Sequence, residues 1–369
     1  MILRITVVVI QSRALLGPYR PVPDTRIWVR WDKGKLMKMK RRESMFAIAG
    51  AACSLFHPSF DTGFHRGHSI GLAGESGWVK YEGNPVLGGE YGTCFDVCVL
   101  REGNKFRMWV SWRPKQSVAL TESADGIRWS APEIVLGPRL KTGWEDDINR
   151  PVVVRHEDRY HMWYTGQANG RSAIGYATSA DGRNWTRQSD RPVLQPSAGW
   201  EGTAVMCPHA MWDFQNRIWK LWYSAGEQYE PNAVGYATSR DGLRWAKYAA
   251  NPVMTPDPRH DWEKDRVTAA QIIQRNGWYY SFYIGFRDVD HAQIGLARSK
   301  DGITRWIRHA GNPIVRPTPG GWDADACYKP YAVLAQGRWM LWYNGRHNSL
   351  EQIGLVLHGG DSLGFTPAL

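Results

Sequence analysis

From about residue 80 onward, apolar residues alternate with polar or small ones in short runs, and glycine-bearing turns break the runs at regular intervals. A period of two marks half-buried β-strands, and nowhere does a long stretch carry the 3.6-residue period of an amphipathic helix. Four of the runs, VALTES, IGYATS, VGYATS and IGLARS, lead into one string, Ser-x-Asp-Gly-x-x-Trp. It reads SADGIRW from Ser123, SADGRNW from Ser179, SRDGLRW from Ser239 and, with one insertion, SKDGITRW from Ser299. Asp125, Asp181, Asp241 and Asp301 are spaced by 56, 60 and 60 residues. Each string precedes a segment ending in Pro-Val or a close relative, so Asp-Gly is placed in a hairpin turn whose glycine supplies a positive φ.

A second run recurs at the same period as FRMWVSW, YHMWYTG, WKLWYSAG, WYYSFYIG and WMLWYNG. Upstream of each lies a further apolar run (FDVCVL, RPVVV, CPHAMW, TAAQII, KPYAVL), joined to it by a short polar turn. Units of three or four antiparallel strands repeating every ~40–60 residues describe propeller blades. The expected fold is all-β, a five-bladed β-propeller of four-stranded antiparallel blades. The last unit runs through IGLVLHGG at 353–360 and lacks an outer strand, whereas WVKYEGNPVL at 78–87 is an outer strand with no unit before it. The ring is therefore expected to be closed by this N-terminal strand, which hides edges that would otherwise invite pairing. SIGLAG, just before Trp78, finds no place in this scheme and leaves a partial extra blade open.

Composition narrows the classes. Apolar residues make up 43% and charged residues 22% of 369, and no run of about 20 apolar residues exists, so disordered and membrane-spanning classes are excluded. With 20 Trp and 16 Tyr against 10 Phe, the chain favours strands and surfaces that stack on flat ligands. The net charge of +11 is concentrated at one end, because residues 1–45 hold eleven Lys or Arg and three Asp or Glu. A nearly neutral body gives no basis for a nucleic-acid groove, and neither nucleic acid nor a membrane is an expected partner. Cys53, Cys94, Cys98, Cys207 and Cys327 lack the pairing of a disulfide framework or a zinc site and read as free thiols. That usage fits the cytoplasm. The segment KLMKMKRRESMFAIAGAACSLF resembles a secretory signal around Met45, which makes periplasmic or secreted location the alternative. The division expected is a basic extension over 1–57 and a propeller domain over 58–369.

In such a ring the first strand of every blade lines the central channel, so residues far apart in sequence converge. The segments entering these strands are EYGTCFD, GWEDDINR, GWEGTAVMCPH, DWEKDRVT and GWDADACYK. Carboxylates gathered toward one axis beside tryptophans have the composition of a sugar site: they accept hydroxyl hydrogen bonds and move protons, while indoles stack on sugar rings. Glycoside hydrolysis needs two carboxyl groups of unlike pKa, roughly 5–5.5 Å apart for retention or 6.5–9.5 Å for inversion. No metal-ligand cluster, phosphate loop or nucleophile triad stands out. No cofactor is required by this reading, which leaves room only for a structural cation in the channel.

The five copies, the Ser-x-Asp-Gly-x-x-Trp hairpins, the Asn-Pro-Val strands and the MWY strands, over roughly residues 78–358, resemble the five-bladed β-propeller glycoside hydrolases of families 43, 32, 62 and 130. The resemblance implies an Asp base or nucleophile on an early first strand, a second Asp that tunes pKa, and a Glu acid. On that basis Asp96 in FDVCVL takes the first role. Asp147 takes the second, because Arg150 stands where the family has its Asp. Met206 stands where the fructosidase branch has Glu, so Glu201 and Glu227 compete as the acid. Arg150, His209, Asp265, Arg266, Asp325, Lys329, Trp112 and Trp144 are the expected substrate-binding residues. A carboxylate that recurs in every blade, as Glu145, Glu201, Glu263 and Asp323 do, reads equally as a turn or inter-blade contact. Asp96 differs, its aligned positions holding Arg150, Cys207, Thr268 and Lys329. The expected function is hydrolysis of a furanoside or related glycan. The cationic residues near the axis keep a phosphorylase of the mannoside-phosphorylase type in view, and the missing Glu keeps a non-catalytic glycan-binding propeller in view.

Overall fold

A computed structural model describes residues 76–229 and 231–365 in full, together with the backbone of three short strands nearer the N-terminus. The chain divides into two compact units, Met1–His68 and Ser69–Leu369. In the first, Val7–Val8, Ile27–Arg30 and Leu36–Met39 pair as an antiparallel sheet in that order. Beyond Met39, the signal-like segment around Met45 and the SIGLAG run lie outside the described residues.

The second unit is all-β and propeller-like, built from four-stranded antiparallel sheets. Unit 1 contains Cys94–Glu102, Lys105–Trp112, Ser117–Ser123 and Glu133–Leu136. Unit 2 follows with Asp147–His156, Arg159–Ala168, Arg171–Ser179 and Thr186–Arg187. Unit 3 has Ala204–Asp213, Ile218–Gly226, Pro231–Ser239 and Ala246–Lys247, and a single parallel bridge, Ser172 to Ala204, joins its sheet to unit 2. Unit 4 comprises Arg266–Arg275, Trp278–Asp288, His291–Ser299 and Ile307–Arg308. In unit 5, Ala326–Ala335, Arg338–His347 and Leu350–Gly359 are joined by Trp78–Lys80, which pairs antiparallel with the third strand. Each inner strand packs against the next, and Ala326–Ala335 packs back against Cys94–Glu102.

The repeated string acts as a latch between neighbouring sheets. In each hairpin the serine hydroxyl accepts the glycine amide and donates to the aspartate, and the aspartate Oδ1 accepts two following amides, as with Ser123, Asp125, Gly126, Ile127 and Arg128. The turn glycine, at φ 73–75° in all four copies, presents its carbonyl to the MWY tryptophan of the preceding unit. Trp342 Nε1 donates to Gly126 O at 2.9 Å, Trp109 to Gly182 at 3.0 Å, Trp163 to Gly242 at 3.0 Å and Trp222 to Gly302 at 2.8 Å. All four indoles are buried, so each hydrogen bond satisfies an N–H that would otherwise be stranded in the core. Unit 4 has Phe282 at this position, which meets Trp78 of the N-terminal strand edge-on at 5.8 Å.

Candidate functional site

Every inner strand carries a β-bulge near its start, and the bulged residue has a positive φ: Asp96 (56°), Arg150 (53°), Cys207 (49°), Ala269 (50°) and Lys329 (52°). A left-handed conformation is uncommon for residues other than glycine, and a bulge turns a side chain out of the regular ladder. The unit 4 residue in this register is Ala269, not Thr268, a one-residue correction to the alignment by sequence. Four of the strained amides are held by the neighbouring sheet. Asp96 N donates to Asn344 Oδ1 at 3.0 Å, Arg150 N to Ser111 Oγ at 2.8 Å, Cys207 N to Thr165 Oγ1 at 3.2 Å and Ala269 N to Ser224 Oγ at 2.7 Å. The acceptors all lie two residues past the MWY aromatic, where unit 4 has Ile284 instead. Two residues beyond the bulge, Val153 N meets Cys98 Sγ at 3.1 Å, His209 Nε2 meets Ile272 O at 2.8 Å and Gln271 Nε2 donates to Ala332 O at 2.9 Å, tying adjacent inner strands together.

The bulges present one carboxylate. Asp96 is 3% exposed, and its Oδ2 accepts Ser111 Oγ at 3.1 Å. Because the same Ser111 oxygen accepts the Arg150 amide, it couples the two bulges. Arg150 Nη1 donates to Asn149 Oδ1 at 2.7 Å, and Asn149 Nδ2 donates to Gln167 at 2.7 Å and toward Asp147 at 3.4 Å. Burial pushes the Asp147 carboxyl above its ordinary range; Arg113, Arg150 and Asn149 pull the other way, and the nearby Asp96 charge raises it further. Burial likewise pushes the Cys207 thiol up despite the positive charges of Lys329 and Arg150. Lys329 itself is 9% exposed.

Arg113, Tyr328 and Glu351 join this group and were not found from sequence. Arg113 Nη2 pairs with Glu351 Oε2 at 3.1 Å, its guanidinium lies 4.2 Å from the Phe95 ring centroid, and the Tyr328 hydroxyl donates to Glu351 Oε1. A signal for Glu351 did exist: its counterparts in the other third strands are Gln116, Ser172, Asn232 and Ala292, so it breaks the repeat as Asp96 does.

Several expected site residues are held by partners of their own. Glu201 is fully buried as a sheet-packing carboxylate: Oε1 accepts Tyr223 Oη at 2.8 Å, and Oε2 accepts Lys247 Nζ at 2.6 Å and the amides of Ser197 and Ala198 at 2.6 and 3.0 Å. Burial alone would raise this carboxyl, but Lys247, the two amides and Tyr223 outweigh it and hold it below its usual value. A carboxyl so fixed has no free oxygen for proton transfer, which corrects its assignment as acid. Glu145 with Tyr164 and Arg187, and Asp323 with Tyr343 and Lys80, repeat the arrangement. Trp144 stacks on Tyr164 at 6.1 Å and donates to Asp190 O, filling the space over Gly166 and Gly175, where any Cβ would meet its ring within 2.4–2.7 Å. It is a packing residue rather than a sugar platform, as are Trp200, Trp262 and Trp322 over their own glycines. His209 is walled in, with burial lowering its pKa to about 3, so it is neutral and not a cationic ligand. Trp112 ends its strand with Nε1 bonded to Tyr91 O at 2.8 Å. Glu227 and Asp265 both pair with Arg266, at 3.2 and 2.9 Å, and Glu227 is 67% exposed. Asp325 accepts His347 Nδ1 at 3.1 Å and the Asn348 amide at 2.9 Å.

Comparison with known proteins agrees with this architecture. Residues 138–310 match the Glycosyl hydrolases family 32 N-terminal domain. The chain is 28% identical over 275 residues to an uncharacterized protein of Mycobacterium tuberculosis, covering 69% of this chain and 89% of that one. It is also 28% identical over 211 residues to beta-fructofuranosidase 1 of Zea mays, covering 52% of this chain and 29% of the maize protein. Among solved structures, a thermostable family-43 glycoside hydrolase superposes with a TM-score of 0.61 at 18% identity, over 77% of this chain and 97% of that chain. In fold the chain is similar to the propeller-type glycoside hydrolases, the class that this solved structure represents. Within that class, its central region aligns with family 32, while it spans less than a third of the maize enzyme's length.

Proposed function

We propose that the second unit is a five-bladed propeller, closed by the Trp78–Lys80 strand, that hydrolyses a furanoside or related glycan at the end of the channel where the bulges lie. The observation that carries this is Asp96: five equivalent strained positions exist, and only one presents a carboxylate. Buried and tied by one oxygen to Ser111, it suits the base or nucleophile. Asp147 suits the proton-holding partner, because an acid whose pKa is raised by burial and by a neighbouring carboxylate retains its proton nearer neutral pH. In this reading the pair divides the two roles that glycoside cleavage requires, while Glu351, clamped by Arg113 and Tyr328, accepts sugar hydroxyls. Family 32 similarity and the fructofuranosidase relatives favour a furanoside. No metal or organic cofactor enters the chemistry, and the cytoplasm fits the four buried free thiols of the described residues.

Arg113, Arg150 and Lys329 support a second reading, in which an anion shares the site and phosphate replaces water as the acceptor. The test is turnover of a panel of aryl furanosides, aryl pyranosides and oligosaccharides, with and without phosphate. Hydrolysis of a furanoside, reduced by about 10³-fold or more in Asp96→Asn with unchanged Tm, is expected. Turnover only with phosphate would select the second reading. Activity unaffected in Asp96→Asn would overturn both.

A further inference from the structure

Units 2, 3 and 5 use one device to bury a carboxylate, and unit 4 departs from it. In unit 2 the Glu145 oxygens accept Tyr164 Oη, Arg187 Nε and, at 3.4 Å, Thr142 Oγ1. In unit 3 Glu201 accepts Tyr223, Lys247 and two amides. In unit 5 Asp323 accepts Tyr343 and Lys80 on one oxygen and the Thr318 amide at 3.1 Å on the other. Each preceding loop thus contributes a hydroxyl or amide donor.

Unit 4 has DPRHDWE at this place, and the loop contributes a carboxylate and an imidazole. Glu263 is fully buried; Arg308 Nε reaches its Oε1 at 3.2 Å and the Tyr283 hydroxyl faces the same carboxyl, while its Oε2 has no partner in hydrogen-bonding geometry among the described residues. One ligand-capable atom each of Asp257, His260 and Glu263 lies within 4.8 Å of the others. A buried anionic oxygen without a donor is costly, and a second carboxylate beside it adds repulsion. A cation removes both penalties at once.

We propose that Asp257, His260 and Glu263 bind a divalent transition-metal ion of the zinc class. Two carboxylates and one imidazole form a mixed oxygen and nitrogen set that such ions accept, with a fourth position left for water. His260 also lines a cavity of about 540 Å³, shared with Trp262, Asn312 and the cationic Arg259, Arg308 and Arg316, which gives a metal-bound water a place. Closing a 4.8 Å spread to a tetrahedral shell needs side-chain shifts of about 1 Å. Arg259 now pairs with Asp257 at 2.9 and 2.7 Å, but its side chain is 83% exposed and can swing into solvent when the ion arrives. Arg308 stays on the other oxygen of Glu263 and balances the remaining charge. The site pins the loop before unit 4 to the sheet and takes no part in the Asp96 chemistry, so it stands or falls separately from the proposed activity.

The test is zinc titration of the chelator-stripped full chain by calorimetry, with Tm read in parallel. The expectation is one equivalent bound at this site with a rise in Tm. Affinity for that equivalent should fall by at least about 100-fold in His260→Ala and in Asp257→Asn, since even groups behind metal ligands cost about 10–100-fold. His260→Ala alters an exposed position, Asp257→Asn is close to isosteric at a half-buried one, and both spare the buried Glu263; retention of the fold is checked by their metal-free Tm. Absence of stoichiometric zinc uptake, or uptake and Tm shift unchanged in both variants, would overturn the proposal.

Discussion

Unit 1 and units 2–5 share a strand plan but handle acidic residues in opposite ways. In units 2, 3 and 5 a carboxylate at the entry to the inner strand is matched by a tyrosine of the second strand and a cation of the outer strand. Unit 1 has Val110 where the others have Tyr164, Tyr223, Tyr283 and Tyr343, and its counterpart carboxylate, Glu90, is exposed rather than buried. Its acid is at the bulge instead, with Oδ2 on Ser111 and no ion pair among the described residues. Repeated carboxylates in this fold are mortar, and the reactive candidate is the one that interrupts the repeat.

The largest test of the mortar role is Lys80→Met, which leaves the Asp323 carboxylate buried without its cation. A loss of about 3–5 kcal/mol is expected by denaturant unfolding. Burial raises the Asp323 carboxyl, but Lys80, Tyr343 and Thr318 prevail and hold it below its ordinary value. A depressed carboxyl contributes stability above the unfolded pKa of about 3.9 and loses it as pH falls. The wild-type advantage over Lys80→Met should therefore be present at neutral pH and shrink on acidification; a gap constant with pH would show that the ion pair is not its source.

A smaller effect is expected from the latches. Trp163→Phe removes the donor to Gly242 O and should cost about 1–3 kcal/mol, whereas the natural Phe282 already shows that an aromatic ring without N–H can fill the position. An unchanged denaturation midpoint would mean that the indole contributes by packing alone. The smallest change, and of opposite sign, belongs to Asp147→Asn. With its folded pKa raised, the ionised Asp147 side chain opposes folding above that pKa, so the variant should melt higher at neutral pH and converge with wild type in acid. Lower melting at neutral pH would show that Asp147 is mortar too, and would move the active pair elsewhere.

Strands, hairpins and the unit period were legible in sequence because they rest on local rules: alternation, a glycine at positive φ, and recurrence. The latch was half legible, since the string and the tryptophan were both visible but their hydrogen bond crosses between units. Glu201 and Trp144 were misassigned because proximity to the channel was inferred from chain position alone, whereas the side chains of both point into sheet packing. The unit 4 counterpart of Asp96 was aligned one residue early because Thr268 and Ala269 are both compatible with the pattern. Arg113 comes from a turn and Glu351 from a third strand, where only spatial register brings them to the inner strands, and Tyr328 on the inner strand of unit 5 was passed over for its neighbour Lys329.

The pairing of Val79 with Leu357 couples residues 278 positions apart. Such a contact is formed late, because closing so long a loop has to precede any return from it. During synthesis the first four sheets can assemble while the fifth waits for the strand that ends at Gly359. Until then Trp78 and Lys80 have no seat, and the nascent chain carries an unfinished edge that a chaperone or a second nascent chain can read.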